Sequence, residues 1–254
     1  MPLVGYWAVS DMWLSELLGQ PCFNIRVGEC DTSDVSFSNF LRAERAFGTW
    51  KVQAQDVYSS LYAQARGFRQ VETSLIFKIP IDTLATNKFT FEDVAEATSA
   101  DEQDVVDIAR TAFSVTRFHL DPVLGANAGN DIKAAWVKNF FRGQRGDGMF
   151  VARRNGELVG FLLYLVGENG DLTIDLIAVA PHALRQGVGR ELISALIGKV
   201  NRTVDVLVGT QACNIPSISL YSNLGFKLSR VVNTFHYHAE GWSDCKKDLR
   251  ELES

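Results

Sequence analysis

Between Asp175 and Arg190 the chain reads DLIAVAPHALRQGVGR, and no other stretch narrows its possible folds so far. Leu176, Ile177, Ala178 and Val179 form an aliphatic run that ends at Pro181. A short apolar run closed by a turn signal reads as a strand buried in a sheet. Arg185-Gln186-Gly187-Val188-Gly189-Arg190 then opens an amphipathic run at helical spacing. The first turn of a helix holds N–H groups with no intrahelical acceptor, at the positive end of the helix dipole. Such a terminus binds anions. Gly187 and Gly189 carry no Cβ, so a phosphate can approach the backbone closely. The pattern predicts a pyrophosphate site.

Spacing decides between pyrophosphate ligands. A dinucleotide fingerprint needs a third glycine, but the residue three beyond Gly189 is Leu192. A Walker loop needs Gly-Lys-Ser/Thr, which is missing here. Val179-Ala180-Pro181 followed by Gly187-Val188-Gly189 instead resembles motif A of the GCN5-related N-acetyltransferase (GNAT) superfamily. One position departs: Leu184 stands where Gln or Arg is usual, with Arg185 next. The resemblance implies that acetyl-CoA, as co-substrate and without a metal, lies along Ile177, Ala178 and Val179. Its pyrophosphate would sit on Leu184, Arg185, Gln186, Gly187, Val188, Gly189 and Arg190.

A second string follows downstream. Thr203 to Val208 is an apolar-rich run, and then come Asn214, Pro216, Ser217, Leu220, Tyr221, Gly225 and Phe226. Asn214 is a helix cap, Pro216 suits a first turn, and Gly225 ends the helix. Tyr221 falls one turn beyond Ser217, so the two share a face. This order resembles the C-terminal signature of the same superfamily. The resemblance implies that Asn214, Ser217, Leu220 and Tyr221 border the coenzyme, with Asn214 and Tyr221 catalytic. Tyr221 would protonate the departing thiolate, and the Val179 N–H would polarise the thioester carbonyl. The acceptor amine attacks directly in this superfamily, so Cys213 needs no nucleophilic role and reads as a small buried side chain.

Composition sets the bounds. The chain has 254 residues, 46% of them hydrophobic, enough for one large domain or two smaller ones. A net charge of −5 and the lack of any Lys/Arg-rich run argue against nucleic acid as a partner. No stretch nears the ~20 apolar residues of a membrane span. Met1 to Leu18 lacks a basic start and carries Asp11 and Glu16, so it reads as an amphipathic packing segment and not as a secretory signal. Cys22, Cys30, Cys213 and Cys245 show no metal-site spacing. The expectation is a cytoplasmic protein with free thiols, and a homodimer is one option.

Ile79 to Lys88 reads as a linker. The resemblance implies an α/β architecture. Residues 86–254 would form a GNAT domain with a mixed, splayed central sheet, and residues 1–85 a smaller half-GNAT-like domain. Leu61-Tyr62, Gly67-Phe68 and Thr73 echo Leu220-Tyr221, Gly225-Phe226 and Thr234, while motif A is absent from the first copy. The first part should then bind no coenzyme but extend the sheet and shape the acceptor pocket, with Tyr62 structural. Within the second part, Phe91–Arg110 reads as a strand and helix and Asp131–Arg142 as a helix. Met149–Ala152 and Leu158–Val166 read as strands joined by an Arg154-Asn155-Gly156 hairpin.

The general base stays open among Asp175, Glu168, His119 and Asp121. For the acceptor, Arg117-Phe118-His119-Leu120-Asp121-Pro122 and Trp136-Val137-Lys138-Asn139 with Arg142-Gly143 resemble the TDP-fucosamine N-acetyltransferases. That resemblance implies a dTDP-linked 4-amino-4,6-dideoxy sugar, met by Arg117, His119, Asp121, Trp136 and Asp175. Trp136 as a core residue and Arg142 as a helix C-cap are the plainer readings. Other acceptors remain open, namely an amino acid, a polyamine, an antibiotic or a protein N-terminus. So does a non-catalytic acyl-CoA-binding module.

Overall fold

Capping residues and alternation account for most of the elements. The computed structural model describes residues 5–28, 35–80, 93–199 and 205–242. The chain divides into two compact units, each gathered from separate segments. One holds Met1–Ser74, Arg117–Ala128 and Val231–Ser254, and the other Leu75–Thr116 and Gly129–Arg230. The linker expected over Ile79–Lys88 begins inside a strand, and its residues 81–88 lie outside the described residues, as do Cys30 and Cys245.

In the first unit the elements are β1 (Gly5–Ser10), α1 (Met12–Leu18), β2 (Cys22–Gly28), β3 (Val35–Ser36), α2 (Phe37–Leu41), β4 (Phe47–Gln53), α3 (Val57–Ala65) and the start of β5 (Arg69–Pro80). The expected single N-terminal amphipathic segment is a strand and a helix. Asp11 breaks it, because its side chain accepts from Leu14 N at 3.0 Å and caps α1. The last strand among the described residues, β11 (Lys227–His238), places Val231–His238 in this unit. β11 is one continuous run of 12 residues. The order is β3-β1-β2-β4-β11, with β2 and β4 parallel and β4 and β11 antiparallel. Trp50, Phe37, Phe40, Phe68 and Phe235 form an aromatic core, with Trp50 and Phe68 edge to face at 5.6 Å.

The second unit adds β6 (Val94–Glu96), α4 (Glu102–Thr111), α5 (Ala126–Phe141), β7 (Gly148–Arg154), β8 (Glu157–Val166), β9 (Leu172–Val179), α6 (Val188–Lys199), β10 (Asp205–Gln211) and α7 (Ile215–Asn223). Its strands run β10-β9-β8-β7-β6. β9 and β10 are parallel, as a helix crossover requires, and the remaining pairs are antiparallel. The β7–β8 hairpin turns at Asn155 and Gly156, whose φ values of 51° and 84° suit the tight turn expected there. Strand faces alternate between two apolar cores. Leu162, Val206 and Val208 pack with α6, while Phe161, Leu163 and Leu176 pack with α4 and α5.

The internal repeat holds at the level of caps. Asp56 accepts from Ser59 N at 3.0 Å to start α3, and Asn214 accepts from Ser217 N at 3.3 Å to start α7. Gly67 and Gly225 close these helices at φ values of 87° and 92°. Each glycine stands the same distance beyond its cap, and a buried phenylalanine, Phe68 or Phe226, follows it. In this register the partner of Tyr221 is Ala63. The residue match of Tyr62 with Tyr221 was one position off, because it followed residue type instead of the cap. Tyr62 stacks on Tyr6 at 4.8 Å, a packing role.

Candidate active site

Among the described residues β9 and β10 pair only at Leu172–Val206, Thr173–Leu207 and Ile174–Val208. The β8–β9 register then skips Asp175, since Leu163 faces Leu176 and Tyr164 faces Ile174. Asp175 is therefore a β-bulge, and a bulge bends its strand. It lies where β9 parts from β10. Beyond it, Leu176 to Val179 pair only with β8. Ala180 N donates to Val159 O at 2.8 Å, so Ala180 faces β8. By alternation the N–H groups of Val179 and Ile177 face the opposite edge, into the opening between the strands.

From Val179 the chain enters a 3₁₀ turn at Pro181–Ala183 and then a loop in which Arg185 and Gly187 take φ values of 64° and 86°. A left-handed arginine is strained, a condition common at ligand clamps. Gln186 Nε2 donates to His182 O at 3.0 Å and braces the loop. Among the described residues no backbone carbonyl accepts from the N–H groups of Arg185 to Arg190. Leu184, Arg185, Gln186, Gly187 and Arg190 are exposed, while Val188 anchors the loop in the core. A Cβ on Gly189 would stand 3.2 Å from Leu220 Cδ2, so this glycine lets α6 and α7 meet.

On α7 the Asn214 side-chain oxygen is occupied by the cap. Tyr221 is 2% exposed and packs at 5.9 Å from both Phe77 and Phe226. Burial pushes its phenol above the usual tyrosine range, and a side-chain hydrogen bond with Ser217 partly opposes this. The phenol keeps its proton at neutral pH and is a proton donor. Ile177, Val179 and Leu220 pack partly buried against the same apolar cluster that holds Tyr221. Cys213, expected to be buried, is exposed because it sits in the turn before the Asn214 cap.

The expected acceptor residues divide between the units. In the second, Asp175 receives two hydrogen bonds from Arg145, both at 2.7 Å, and one from Trp136 Nε1 at 3.0 Å. Arg145 and Lys133 each lie over the Trp136 ring, at 4.3 and 4.4 Å. A carboxylate so engaged anchors the bulge. Glu168 sits in the β8–β9 turn, at the far end of β9 from Val179 and roughly 20 Å away at strand rise. Arg142 is exposed just past α5, and its N–H donates to Lys138 O.

In the first unit, Arg117 donates its backbone N–H to Glu72 at 2.7 Å and its guanidinium to Thr49 at 3.1 Å. His119 is half-buried. Asp121, read as a base or a substrate contact, is buried, and its Oδ2 lies 2.6 Å from His236 Nδ1 and 2.9 Å from His238 Nε2. Burial alone would raise its pKa, but the two histidine hydrogen bonds outweigh that and hold it well below the usual carboxylate range. Burial pushes His236 down to about 4, against the pull of Asp121. These three side chains have their ligand atoms within 4.8 Å of one another. The 2.6 Å contact between Asp121 and His236 has hydrogen-bond length. His236, His238, Glu72 and Arg145 were missed from the sequence. The His-Tyr-His alternation on a strand was the one available signal.

A family model described as "Acetyltransferase (GNAT) family" matches residues 104–226, from α4 to the end of α7. Residues 104–226 are thus similar to the acetyltransferase domain of that family. The spore coat polysaccharide biosynthesis protein SpsD of Bacillus subtilis is 29% identical over 150 residues, covering 58% of this chain and 50% of that protein. The match thus spans half of this relative's length. The [ribosomal protein bS18]-alanine N-acetyltransferase of Escherichia coli K12 is 27% identical over 114 residues, covering 43% of this chain and 76% of that enzyme. Among solved structures, a tandem GNAT protein from the clavulanic acid biosynthesis pathway superposes with a TM-score of 0.57 at 14% identity, covering 87% of this chain and 76% of that one. That likeness establishes a mixed α/β GNAT fold, and the tandem arrangement is in keeping with the extra N-terminal elements. Among the described residues no helix is long and apolar enough to cross a membrane.

Proposed function

We propose that the chain transfers an acetyl group from acetyl-CoA to the 4-amino group of a nucleotide-linked 4-amino-4,6-dideoxy sugar. The observation that carries the transfer is the parting of β9 from β10 at Asp175, beside a helix start whose N–H groups have no backbone acceptor. Coenzyme A supplies the acetyl group as a thioester. The amides of Gln186 to Arg190 hold its pyrophosphate, and Gly187 leaves them open. The Val179 N–H donates to the thioester carbonyl oxygen, where charge develops. The amine nitrogen forms the C–N bond as the C–S bond breaks, and Tyr221 gives the thiolate its proton. The amine's own proton leaves to water, and water returns a proton to the Tyr221 phenolate.

The SpsD relationship and the Arg117–Asp121 and Trp136–Gly143 strings support the sugar. The N-terminal unit, whose counterpart of Tyr221 is Ala63, supports a non-catalytic role for that half. A second reading, acetylation of a protein N-terminus, is favoured by the ribosomal-protein acetyltransferase match.

The test is release of coenzyme A with dTDP-4-amino-4,6-dideoxygalactose, its gluco epimer, free amino sugars, polyamines and an alanine-starting peptide. Turnover with a sugar nucleotide alone supports the first reading. Turnover with the peptide alone replaces it with the second.

A further inference from the structure

Glu191 stands in the first turn of α6, at the helix end assigned to the coenzyme pyrophosphate. Its Oε1 lies 3.7 Å from the place that a Cβ on Gly187 would take, so the carboxylate borders the loop. An acidic side chain there complements the helix dipole, but it repels an anion that approaches the same terminus. Glu191 is half-buried, so water and salt screen that repulsion only in part.

A cation answers it. Arg154, the last residue of β7, donates through Nη2 to both carboxylate oxygens of Glu191, at 2.8 and 2.7 Å. Its Nη1 donates to Arg153 O at 2.9 Å and to Asp93 at 3.3 Å. These partners fix the guanidinium before any ligand arrives. The far side of the Asn155-Gly156 turn borders the same loop, since Glu157 lies 3.3 Å from His182. That second pair is solvated on both sides and contributes little. The contact at Glu191 is the one that changes the charge beside the α6 terminus.

We propose that Arg154 is a positioning residue for the coenzyme: it holds the Glu191 carboxylate and cancels its charge, so that the start of α6 stays open to the pyrophosphate. Nη1 and Nη2 of Arg154 are engaged elsewhere, so the residue acts through Glu191 and does not touch the ligand. The role rests on the coenzyme reading of Gln186 to Arg190. An ion pair that merely ties the hairpin to the helix would behave differently, because removing both partners would not restore what removing the cation lost.

The test is calorimetric titration of the full chain with coenzyme A. Arg154→Gln leaves Glu191 uncompensated and should weaken binding about fivefold, within the range of a charge at a helix end. Glu191→Gln removes the repulsion and should bind at least as tightly as the wild type. The double variant should return to within about twofold of the wild type, and the loss in Arg154→Gln should shrink from about 0.01 M to about 1 M salt. A double variant as weak as Arg154→Gln overturns the proposal, and so does an Arg154→Gln that binds like the wild type. If Arg154→Gln fails to fold, Glu191→Gln decides: weaker binding there overturns the proposal. A folded wild type that does not bind coenzyme A removes the coenzyme reading itself, a different failure from a bound coenzyme that is indifferent to Arg154.

Discussion

Gly189 and Leu220 hold the start of α6 and the tyrosine helix α7 together: a Cβ on Gly189 would come within 3.2 Å of Leu220 Cδ2. In the proposed reading the glycine serves two ends, an open amide for the coenzyme pyrophosphate and a close approach of α6 to α7. Gly189→Val adds a branched side chain that neither function tolerates. The Michaelis constant for acetyl-CoA should rise about tenfold, the ~1.4 kcal/mol of one weakened ligand contact. The acceptor's constant should stay near wild type. An equal rise in both would mean that the substitution disturbs the whole domain.

Tyr221→Phe removes one hydroxyl from a buried ring that keeps its contacts with Phe77 and Phe226. If the phenol protonates the leaving thiolate, kcat should fall by about 10²- to 10⁴-fold, the usual worth of a general acid. Only the Ser217 hydrogen bond is lost, so stability should change by about 1 kcal/mol. Unchanged kcat with a lowered melting temperature would make Tyr221 a core residue and nothing more.

Asp175→Asn separates an anchor from a base. The change breaks the paired contact with Arg145 and weakens the one with Trp136. Hydrogen bonds to charged groups contribute about 1.5–3 kcal/mol, so chemical denaturation should detect a loss of that order. The turnover of the folded variant should stay within a fewfold of wild type. A collapse of kcat at wild-type stability would restore Asp175 as the general base.

Local signals made much of this legible. Asn155-Gly156, the Asn214 cap, Gly225 and the apolar runs of β8 and β9 each act within a few residues, and each element stands where these place it. Long-range choices were not legible. The partners of Asp175 and Asp121, namely Arg145, His236 and His238, lie far away in sequence, and nothing near either carboxylate announces them. The bulge at Asp175 depends on register with β8, which a single strand does not encode. The Tyr62 comparison failed because residue type outweighed cap spacing.

The buried His236 makes stability depend on pH in a stated direction. Its folded pKa of about 4 lies below the ordinary value of 6.5, so between these limits the unfolded chain binds the extra proton. The stabilisation is complete above pH 6.5 and is lost as pH falls through about 4. A shift of this size corresponds to on the order of 3 kcal/mol across the window. Asp121, also depressed, adds its loss below the ordinary carboxylate range, outside this window. Denaturation midpoints measured from pH 7 to pH 4.5 should fall steadily for the wild type. His236→Gln is less stable at pH 7 but lacks the titrating ring, so its midpoint should fall less over the same range. Parallel slopes for the two proteins would place the acid sensitivity elsewhere and remove His236 as its source.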